Sequence, residues 1–346
     1  MTPLGDLLIA RIRATGPITL AEYMAECLLH PVHGYYTTRD PFGLAGDFTT
    51  APEISQMFGE LLGLSLAQSW LDQGGGPCVL AELGPGRGTL MADALRATRG
   101  VPGFHAALRV CLVEASPVLR VRQQVALSGY PVTWLDSVQD LPQGPLYLLA
   151  NEFFDALPIR QFQRDGSGWR ERMVGVRGAG LGFGLSGVVA ITGLPEVAQG
   201  GIAEVCPSAG AIIAELGQRI RDHGGAALIV DYGEWESAGD TFQAVRSNAY
   251  ADPFAEPGQA DLTAHVDFAA LAGAAGTGHA FTPQGGFLRR LGIQARADRL
   301  ALGLSGAALQ SHLAATHRLT GAQEMGVLFK VLALYPMARA APPGMV

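Results

Sequence analysis

A regular succession of short apolar segments and helical stretches, beginning near Pro77, is the feature that most restricts the fold of this chain. The apolar segments cover residues 78–81, 110–113, 132–135, 146–150 and 226–230. Each is apolar at odd and even positions, which is typical of parallel strands covered on both faces. Helices are predicted between most of them, over 89–97, 117–127 and 209–221. The alternation predicts an α/β fold with a doubly wound, mostly parallel, Rossmann-like sheet.

The remaining segments are predicted to surround this core. Residues 1–70 are interpreted as an N-terminal helical lobe, with a long glycine-rich loop between His30 and Thr50 that we expect to cover a ligand. Residues 71–346 form the predicted core, which is interrupted by insertions at about 160–207 and 234–276. The first is expected to contain a hairpin around Asp165–Gly168, and the second to be helical and irregular. A last strand is predicted over 329–335.

Charge and hydropathy exclude or disfavour several classes of protein. The chain has 346 residues and no run of 18 apolar residues, so we expect no membrane span. The first 16 residues lack the apolar stretch of a signal peptide and are interpreted as the start of the folded protein. With 24 basic and 31 acidic side chains the net charge is −7, and no basic stripe occurs. This balance disfavours a nucleic acid as partner.

The cysteines and histidines indicate no metal site. Cys27, Cys78, Cys111 and Cys206 lie far apart and form no CxxC pair, which is typical of free thiols in a reducing cytoplasm. His30 and His33 lie three residues apart in a turn-rich stretch without a partner carboxylate motif. The sequence leaves the oligomeric state open, including a homodimer.

A glycine-rich segment directly after the first predicted strand is the strongest local motif. It reads Glu82-Leu-Gly84-Pro-Gly86-Arg-Gly88-Thr, and a helix is predicted to follow. Alternate glycines allow a sharp turn and a close approach of a ligand to the backbone. The spacing is GxGxG, and Glu82 stands two positions before the first glycine. A carboxylate there disfavours a pyrophosphate, whereas it suits the sulfonium-bearing zwitterion S-adenosylmethionine.

Two further acids follow the next two predicted strands. Glu114 is placed to accept hydrogen bonds from both ribose hydroxyls, as the corresponding acid does in nucleotide-binding folds. Asp136 is placed to meet the adenine amine. A glycine motif alone would be a weak signal, but its combination with acids at successive strand ends predicts a cofactor site. For Asp136 alone, a purely structural role remains an equal alternative.

Longer motifs across the chain resemble the MidA family of methyltransferases. They comprise residues 30–36, 40–43, 46–60, 82–88, 151–158, 231–233, 260–268, 284–286 and 325–330. The resemblance implies a class I methyltransferase core with a helical lobe. It also implies symmetric dimethylation of an arginine in a core subunit of NADH:ubiquinone oxidoreductase, and thus a role in complex I assembly. Ser247–Asn248 departs from the family, in which Gly-His is expected, so no role is assigned to the second insertion.

The residues after the fourth predicted strand are the candidates for catalysis. Arginine is a difficult methyl acceptor because its guanidinium stays protonated and its electrons are delocalised. Carboxylates that hold the charge on two nitrogens would leave the third richer in electrons. Glu152 and Asp155 are predicted to form this clamp, and Asn151 to contact the cofactor or the acceptor. A pair of acids that stabilises a helix start is the alternative.

Supporting roles are predicted for residues nearby in the fold. Phe153 or Phe154 would wall the site, and Asp231 would be either a further clamp or a loop anchor. Thr49, Thr50 and Glu53 would close over the cofactor, although Thr-Ala-Pro-Glu is also a good helix start.

Three rival functions remain at this stage. The first is an NAD-linked oxidoreductase with the same core, which the GxGxG spacing and Glu82 disfavour. The second is an inactive assembly factor that binds S-adenosylmethionine. The third is a nucleic-acid N-methyltransferase, whose signature only loosely resembles residues 151–154. We expect a cytoplasmic protein in a bacterium, and a mitochondrial matrix protein only in a eukaryote.

Overall fold

The computed structural model describes residues 2–38, 49–237 and 239–346. Its helices are α1 (Pro3–Thr15), α2 (Leu20–Leu29), α3 (Tyr35–Thr38), α4 (Ala51–Ile54), α5 (Gln56–Asp72), α6 (Thr89–Thr98), α7 (Phe104–Ala107), α8 (Pro117–Ala126), α9 (Pro207–His223), α10 (Phe268–Ala275), α11 (Gln284–Arg290), α12 (Ile293–Ala301), α13 (Gly306–Thr320) and α14 (Met325–Leu328). No helix of the described part is long and apolar enough to cross a membrane.

The strands, in chain order, include those predicted from the apolar segments. They are β1 (Ile18–Thr19), β2 (Cys78–Leu83), β3 (Leu108–Val113), β4 (Val132–Leu135), β5 (Leu146–Asn151), β6 (Arg160–Asp165), β7 (Gly168–Arg177), β8 (Gly180–Leu185), β9 (Ile202–Val205), β10 (Gly225–Glu234), β11 (Gln243–Arg246), β12 (Ala249–Ala251), β13 (Asp261–Thr263), β14 (Val266–Asp267), β15 (Gly278–Pro283) and β16 (Phe329–Tyr335).

The chain divides into two compact units that differ from the predicted domains. The core unit comprises Thr49–Phe154, Gly210–Trp235 and Val266–Val346. The second unit comprises the described residues of Met1–Phe48 together with Asp155–Ala209 and Glu236–His265. Helices α4 and α5, predicted in the N-terminal lobe, therefore belong to the core unit. Most of both predicted insertions belongs to the second unit.

The core unit is built on one mixed sheet in the order β15-β16-β10-β5-β2-β3-β4. The strands from β10 to β4 are parallel, and β16 runs antiparallel to both of its neighbours. All side chains of β2 and β5 are buried, as the apolar segments 78–81 and 146–150 predict, and the polar Glu82 and Asn151 near the strand ends are buried as well. Helix α8 begins as predicted, with Ser116 accepting a hydrogen bond from the Leu119 N–H and Pro117 at the first helical position. The predicted α/β fold is confirmed.

The second unit contains two smaller sheets and three N-terminal helices. One sheet has the order β1-β7-β6-β9, with β8 paired to β7, and includes the predicted hairpin, whose strands meet at Asp165 and Gly168. The other has the order β12-β11-β13. Helices α1 and α2 bury an apolar face in the core of this unit, which includes Leu8, Tyr23 and Val174.

The second insertion was predicted to be helical and irregular, and the helical part of this prediction was wrong before α10. Three short strands, β11, β12 and β13, lie within residues 243–263, and among the described residues of the insertion only α10 near the end is helical. A two-residue turn, Ser247–Asn248, joins β11 to β12, with φ of 51° and 59°. Tight hairpins of this kind need positive φ at both turn residues and usually carry glycine or Asn-Gly. The Ser-Asn pair lacks that signal.

Candidate cofactor and active site

The strand order of the core sheet reverses direction between β2 and β5. β2 and β5 are parallel neighbours, and Leu83 pairs with Ala150. β3 and β4, which follow β2 in the sequence, lie on one side of it in the sheet. The later strands β5 and β10 lie on its other side. In open α/β sheets, ligands bind outside the carboxyl ends of the strands at such a reversal of strand order.

The glycine segment leaves β2 in a left-handed backbone conformation. Gly84, Gly86 and Gly88 have φ of 57°, 53° and 84°. A Cβ atom on Gly84 would lie 2.9 Å from Cδ2 of Phe153, so a larger residue requires a shift of that ring. The Gly84 N–H donates to the Val113 carbonyl at 3.0 Å, which fixes the turn against β3. Glycine is therefore required here both for conformation and for space.

Glu82 lies at the end of β2 and is only 2% exposed. Its Oε2 has no hydrogen-bond partner among the described residues. Burial, together with the negative charge of Glu114, raises the pKa of Glu82 to about 8, against the effect of a hydrogen bond from the Met91 backbone. Oε2 of Glu82 is thus an unsatisfied acceptor, and a cation beside it would stabilise the ionised form of the carboxyl group.

Glu114 follows β3 and is held at both carboxylate oxygens. Oε1 accepts from the Ser116 N–H at 2.7 Å, and Oε2 accepts from Gln123 Nε2 at 3.0 Å. Burial raises the pKa of Glu114, although these hydrogen bonds and the charge of Arg120 oppose it. The structure therefore places Glu114 at the strand end, in a fixed orientation.

Asp136 follows β4, as predicted, but its side chain is 86% exposed. Its Oδ1 lies 2.5 Å from Arg120 Nη2. Arg120 Nε also donates to the Glu114 carbonyl at 2.9 Å, and Nη2 to the Leu135 carbonyl at 3.1 Å. The arginine ties the ends of β3 and β4 together, and the contact of Asp136 with adenine stays a prediction.

The side chains of Asn151 and Glu152 are hydrogen-bonded to each other at the end of β5. Asn151 Nδ2 donates to Glu152 Oε1 at 3.0 Å, and the same oxygen accepts from the Ala51 N–H at 3.4 Å. Asn151 is 8% exposed, and its Oδ1 has no hydrogen-bond partner in the described part of the chain. Glu152 has φ of 51°, a conformation that is uncommon for a non-glycine residue and costs about 1 kcal/mol or more. Such strain is often found at functional sites.

Asp231 has the contacts of a loop anchor. It is fully buried in β10, and its Oδ2 accepts from the Phe154 N–H at 3.0 Å. Its Oδ1 accepts from the Tyr232 N–H at 2.9 Å. Between the two roles left open by the sequence, these bonds favour anchoring of the segment after β5.

Asp155 belongs to the second unit and is buried there. Its carbonyl accepts from the Ala264 N–H at 2.9 Å. In the same unit the Tyr36 hydroxyl donates to Asp261 Oδ1 at 2.7 Å, and burial together with the charges of Asp261 and Asp155 raises the pKa of Tyr36. Glu152 and Asp155 thus belong to different units, and the predicted clamp stays a prediction.

The start of α4 contacts the glycine segment through Glu53. Glu53 Oε1 accepts from the Thr89 hydroxyl at 2.5 Å, and Oε2 lies 3.6 Å from Arg87 Nη1. Thr50 is buried at the N-cap position of α4, although its side chain makes no capping hydrogen bond. Residues 39–48, which belong to the predicted covering loop, lie outside the described residues. Closure by Thr49 and Thr50 over a ligand stays a prediction.

His30 has a local structural role. Its Nδ1 accepts from the backbone N–H groups of Val32 and His33, both at 3.2 Å. The two imidazole rings stack with centroids 5.1 Å apart. Within the described residues, no group of three or more acidic, histidine or cysteine side chains is arranged to hold a metal ion.

Comparison with known families identifies the class of enzyme to which this chain belongs. Residues 61–285 match a family model described as "Putative S-adenosyl-L-methionine-dependent methyltransferase". The chain belongs to this methyltransferase family. The matched range contains the glycine segment, Glu114, Asn151 and Asp231. The predicted S-adenosylmethionine cofactor and the predicted methyltransferase class are thereby confirmed, and the NAD-linked alternative loses its basis.

Relatives of known name align along nearly the whole chain of this methyltransferase. Protein arginine methyltransferase NDUFAF7, mitochondrial, from Mus musculus is 40% identical over 98% of this chain and 86% of its own length. The Homo sapiens protein of that name is 38% identical over 98% of this chain and 85% of its own. A crystal structure of a superfamily member from Burkholderia thailandensis, bound to S-adenosyl-homocysteine, superposes with a TM-score of 0.84 at 29% identity. The superposition covers 99% of this chain and 94% of that one.

One residue beside the methyltransferase site was missed by the sequence analysis. Gln123 is fully buried on α8, and it contacts both the glycine segment and Glu114. Its signal is visible in retrospect. Leu119, Gln123 and Leu127 are spaced four residues apart, so the glutamine occupies an otherwise apolar, inward-facing stripe.

Proposed function

We propose that this chain transfers methyl groups from S-adenosylmethionine to an arginine of a protein substrate. The observation that carries the cofactor assignment is a pair of buried acceptors without partners, Glu82 Oε2 and Asn151 Oδ1, on adjacent strands. The arginine assignment is supported by the relatives from Mus musculus and Homo sapiens, which are named protein arginine methyltransferases.

The residues at the strand ends fit the cofactor group by group. The α-ammonium of its methionine part is a cation with three donors, which matches the two orphaned acceptors on β2 and β5. The left-handed turn over Gly84, Gly86 and Gly88 keeps side chains away from the backbone there. Glu114 would accept from the ribose hydroxyls. Asp136 would meet the adenine amine, and Thr50 would cover the ligand.

The chain's own residues would then orient the acceptor and exclude water. The bound cofactor supplies an electrophilic methyl group on a sulfonium. Glu152 and Asp155 would hold the positive charge of the guanidinium on two of its nitrogens, which leaves the third better able to attack. Asn151 would contact the cofactor or the acceptor nitrogen. Positioning of this kind supplies most of the rate in methyl transfer.

We further propose a subunit of NADH:ubiquinone oxidoreductase as the substrate, with a role in assembly of that complex. This follows from the family resemblance in residues 30–36 and 46–60 and in the motif 151–158. The relatives are mitochondrial by name. A bacterial chain would act in the cytoplasm, and a eukaryotic one in the mitochondrial matrix. Whether the protein is a homodimer is left to measurement.

The test is a comparison of host proteomes with the wild-type chain, with Gly86→Val and with Asp155→Asn. Mass spectrometry should find an arginine that carries two added methyl groups only in the wild-type strain. Calorimetry with S-adenosylhomocysteine should show binding by wild type and Asp155→Asn, and none by Gly86→Val. Binding without any methylated arginine would instead support the inactive assembly factor. Binding of NADH in place of S-adenosylhomocysteine would overturn the cofactor assignment.

A further inference from the structure

A buried glutamine of α8 connects the two halves of the cofactor site. We propose that Gln123 is a positioning residue that holds the Glu114 carboxylate and the Gly86 turn in one preformed arrangement for the cofactor. This inference rests on the proposed cofactor contacts of Glu114 and Gly86, and goes beyond them by naming the group that orients both.

The hydrogen bonds of Gln123 fix the orientation of its amide. Trp134 Nε1 donates to Gln123 Oε1 at 2.9 Å. An indole N–H can only donate, so the amide oxygen must face Trp134 and the amide nitrogen must face the other way. On that side Nε2 donates to the Gly86 carbonyl at 2.8 Å and to Glu114 Oε2 at 3.0 Å. The Gly86 carbonyl and the Glu114 carboxylate are both acceptors, so every donor in this network faces an acceptor.

The surroundings of Gln123 make these bonds difficult to replace. The side chain is fully buried, and Cα of Gln123 would lie 3.3 Å from a Cβ added to Gly88. Loss of the amide nitrogen therefore leaves the buried Glu114 Oε2 and the partly buried Gly86 carbonyl without this donor. The neighbouring Gln124 is exposed on the other face of α8 and makes no such contacts.

The same bond favours the ionised form of Glu114. Burial raises the pKa of Glu114, whereas the hydrogen bonds from Ser116 and Gln123 and the charge of Arg120 lower it. The acid Glu82 faces it from β2. An ionised carboxylate is acceptor-only and can receive both ribose hydroxyls. Without the amide of Gln123, Glu114 should ionise at a higher pH. The pH midpoint of cofactor binding should then shift upward as well.

The experiment measures S-adenosylhomocysteine affinity by calorimetry between about pH 6 and pH 9, with thermal melts of each apo variant. Gln123→Met is expected to lose about tenfold in affinity at neutral pH, with the pH midpoint of binding shifted upward. The control Gln124→Met should match wild type in both respects. A merely structural role would lower the melting temperature and leave the pH midpoint unchanged, which would overturn the proposal.

A nearly isosteric variant covers the case in which Gln123→Met does not fold. In Gln123→Glu the introduced carboxyl can donate to Glu114 only while it is protonated. Its affinity is therefore expected to fall as pH rises, opposite in sign to Gln123→Met. A wild-type profile in this variant would overturn the proposal.

Glu114→Gln separates this inference from the proposed cofactor site. Wild-type affinity for S-adenosylhomocysteine in Glu114→Gln would show that the proposed contact of Glu114 with the ribose is wrong. Weakened binding in Glu114→Gln, with wild-type affinity and pH profile in Gln123→Met, would overturn the positioning role alone.

Discussion

Glu82 and Glu114 lie at the carboxyl ends of neighbouring parallel strands, and the charge of Glu114 adds to burial in raising the pKa of Glu82 to about 8. The folded state therefore binds this proton more tightly than the unfolded state does. The resulting stabilisation is fully present below the ordinary pKa of 4.5 and is lost as pH rises through about 8. Ionisation of the buried Glu82 therefore lowers the free energy of unfolding of the apo protein at alkaline pH.

Glu82→Gln is expected to remove this pH dependence. Relative to wild type, the free energy of unfolding of the apo variant should rise between about pH 5 and pH 9 by on the order of 2 kcal/mol or more. Urea unfolding at the two pH values measures it. A constant difference between the two proteins would contradict the raised pKa.

Cofactor binding near neutral pH is expected to release a proton from Glu82. A cation placed beside a carboxyl group lowers its pKa, so the buried group ionises when the ligand's ammonium arrives. Calorimetry with S-adenosylhomocysteine in buffers of different ionisation enthalpy counts the proton. Glu82→Gln should show no release at the same pH. Uptake of a proton by wild type would be the wrong sign and would refute the contact.

The left-handed backbone of Glu152 predicts a difference between two variants. Both Glu152→Gly and Glu152→Ala remove the carboxylate, so both are expected to lose methyl transfer. Glycine adopts φ of 51° without strain, whereas alanine does not, so Glu152→Gly should be more stable than Glu152→Ala by about 1 kcal/mol. Denaturant midpoints measure this. Equal stabilities would contradict a left-handed backbone conformation at Glu152.

A buried carboxylate joins three helices of the core unit, and its removal should weaken the fold. Glu60 is 3% exposed and lies 2.6 Å from Arg96 Nη1 and 2.7 Å from Arg296 Nε. Burial opposes ionisation, but the bonds and charges of Arg296 and Arg96 outweigh it and lower the pKa of Glu60. Its contribution is present above the ordinary pKa and is lost as pH falls through the lowered one.

Glu60→Ala is therefore expected to cost about 2 kcal/mol at neutral pH and less in acid. The figure is below that for a fully buried pair because both arginines are more than one third exposed. The control is Glu256→Ala, which breaks an exposed pair with Arg246 and should cost under about 1 kcal/mol. Urea unfolding of the wild-type protein, of Glu60→Ala and of the control variant measures these costs. A cost no larger than that of the control would contradict a stabilising role.

The core was predictable because its signals are local. Uniformly apolar strands, the Ser116–Pro117 helix start and the glycine segment all depend on residues adjacent in sequence. The second insertion was misjudged because Ser247–Asn248 turns with positive φ and without glycine. The contacts of Glu60 with Arg296 span 236 residues, and no local pattern indicates them. Neither does any local pattern show that Asp155 begins a segment of the other unit.

Strand β16 sits between β10 and β15, although it follows both of them in the sequence. A nascent chain that has reached β15 already holds the whole parallel part of the sheet. Until residues 329–335 leave the ribosome, however, the apolar edge of β10 lacks its neighbour. An open edge of this kind pairs readily with other chains. Folding of the cofactor-binding sheet is thus completed only after β16 has been synthesised, and a chaperone that shields this edge until then would favour a correct outcome.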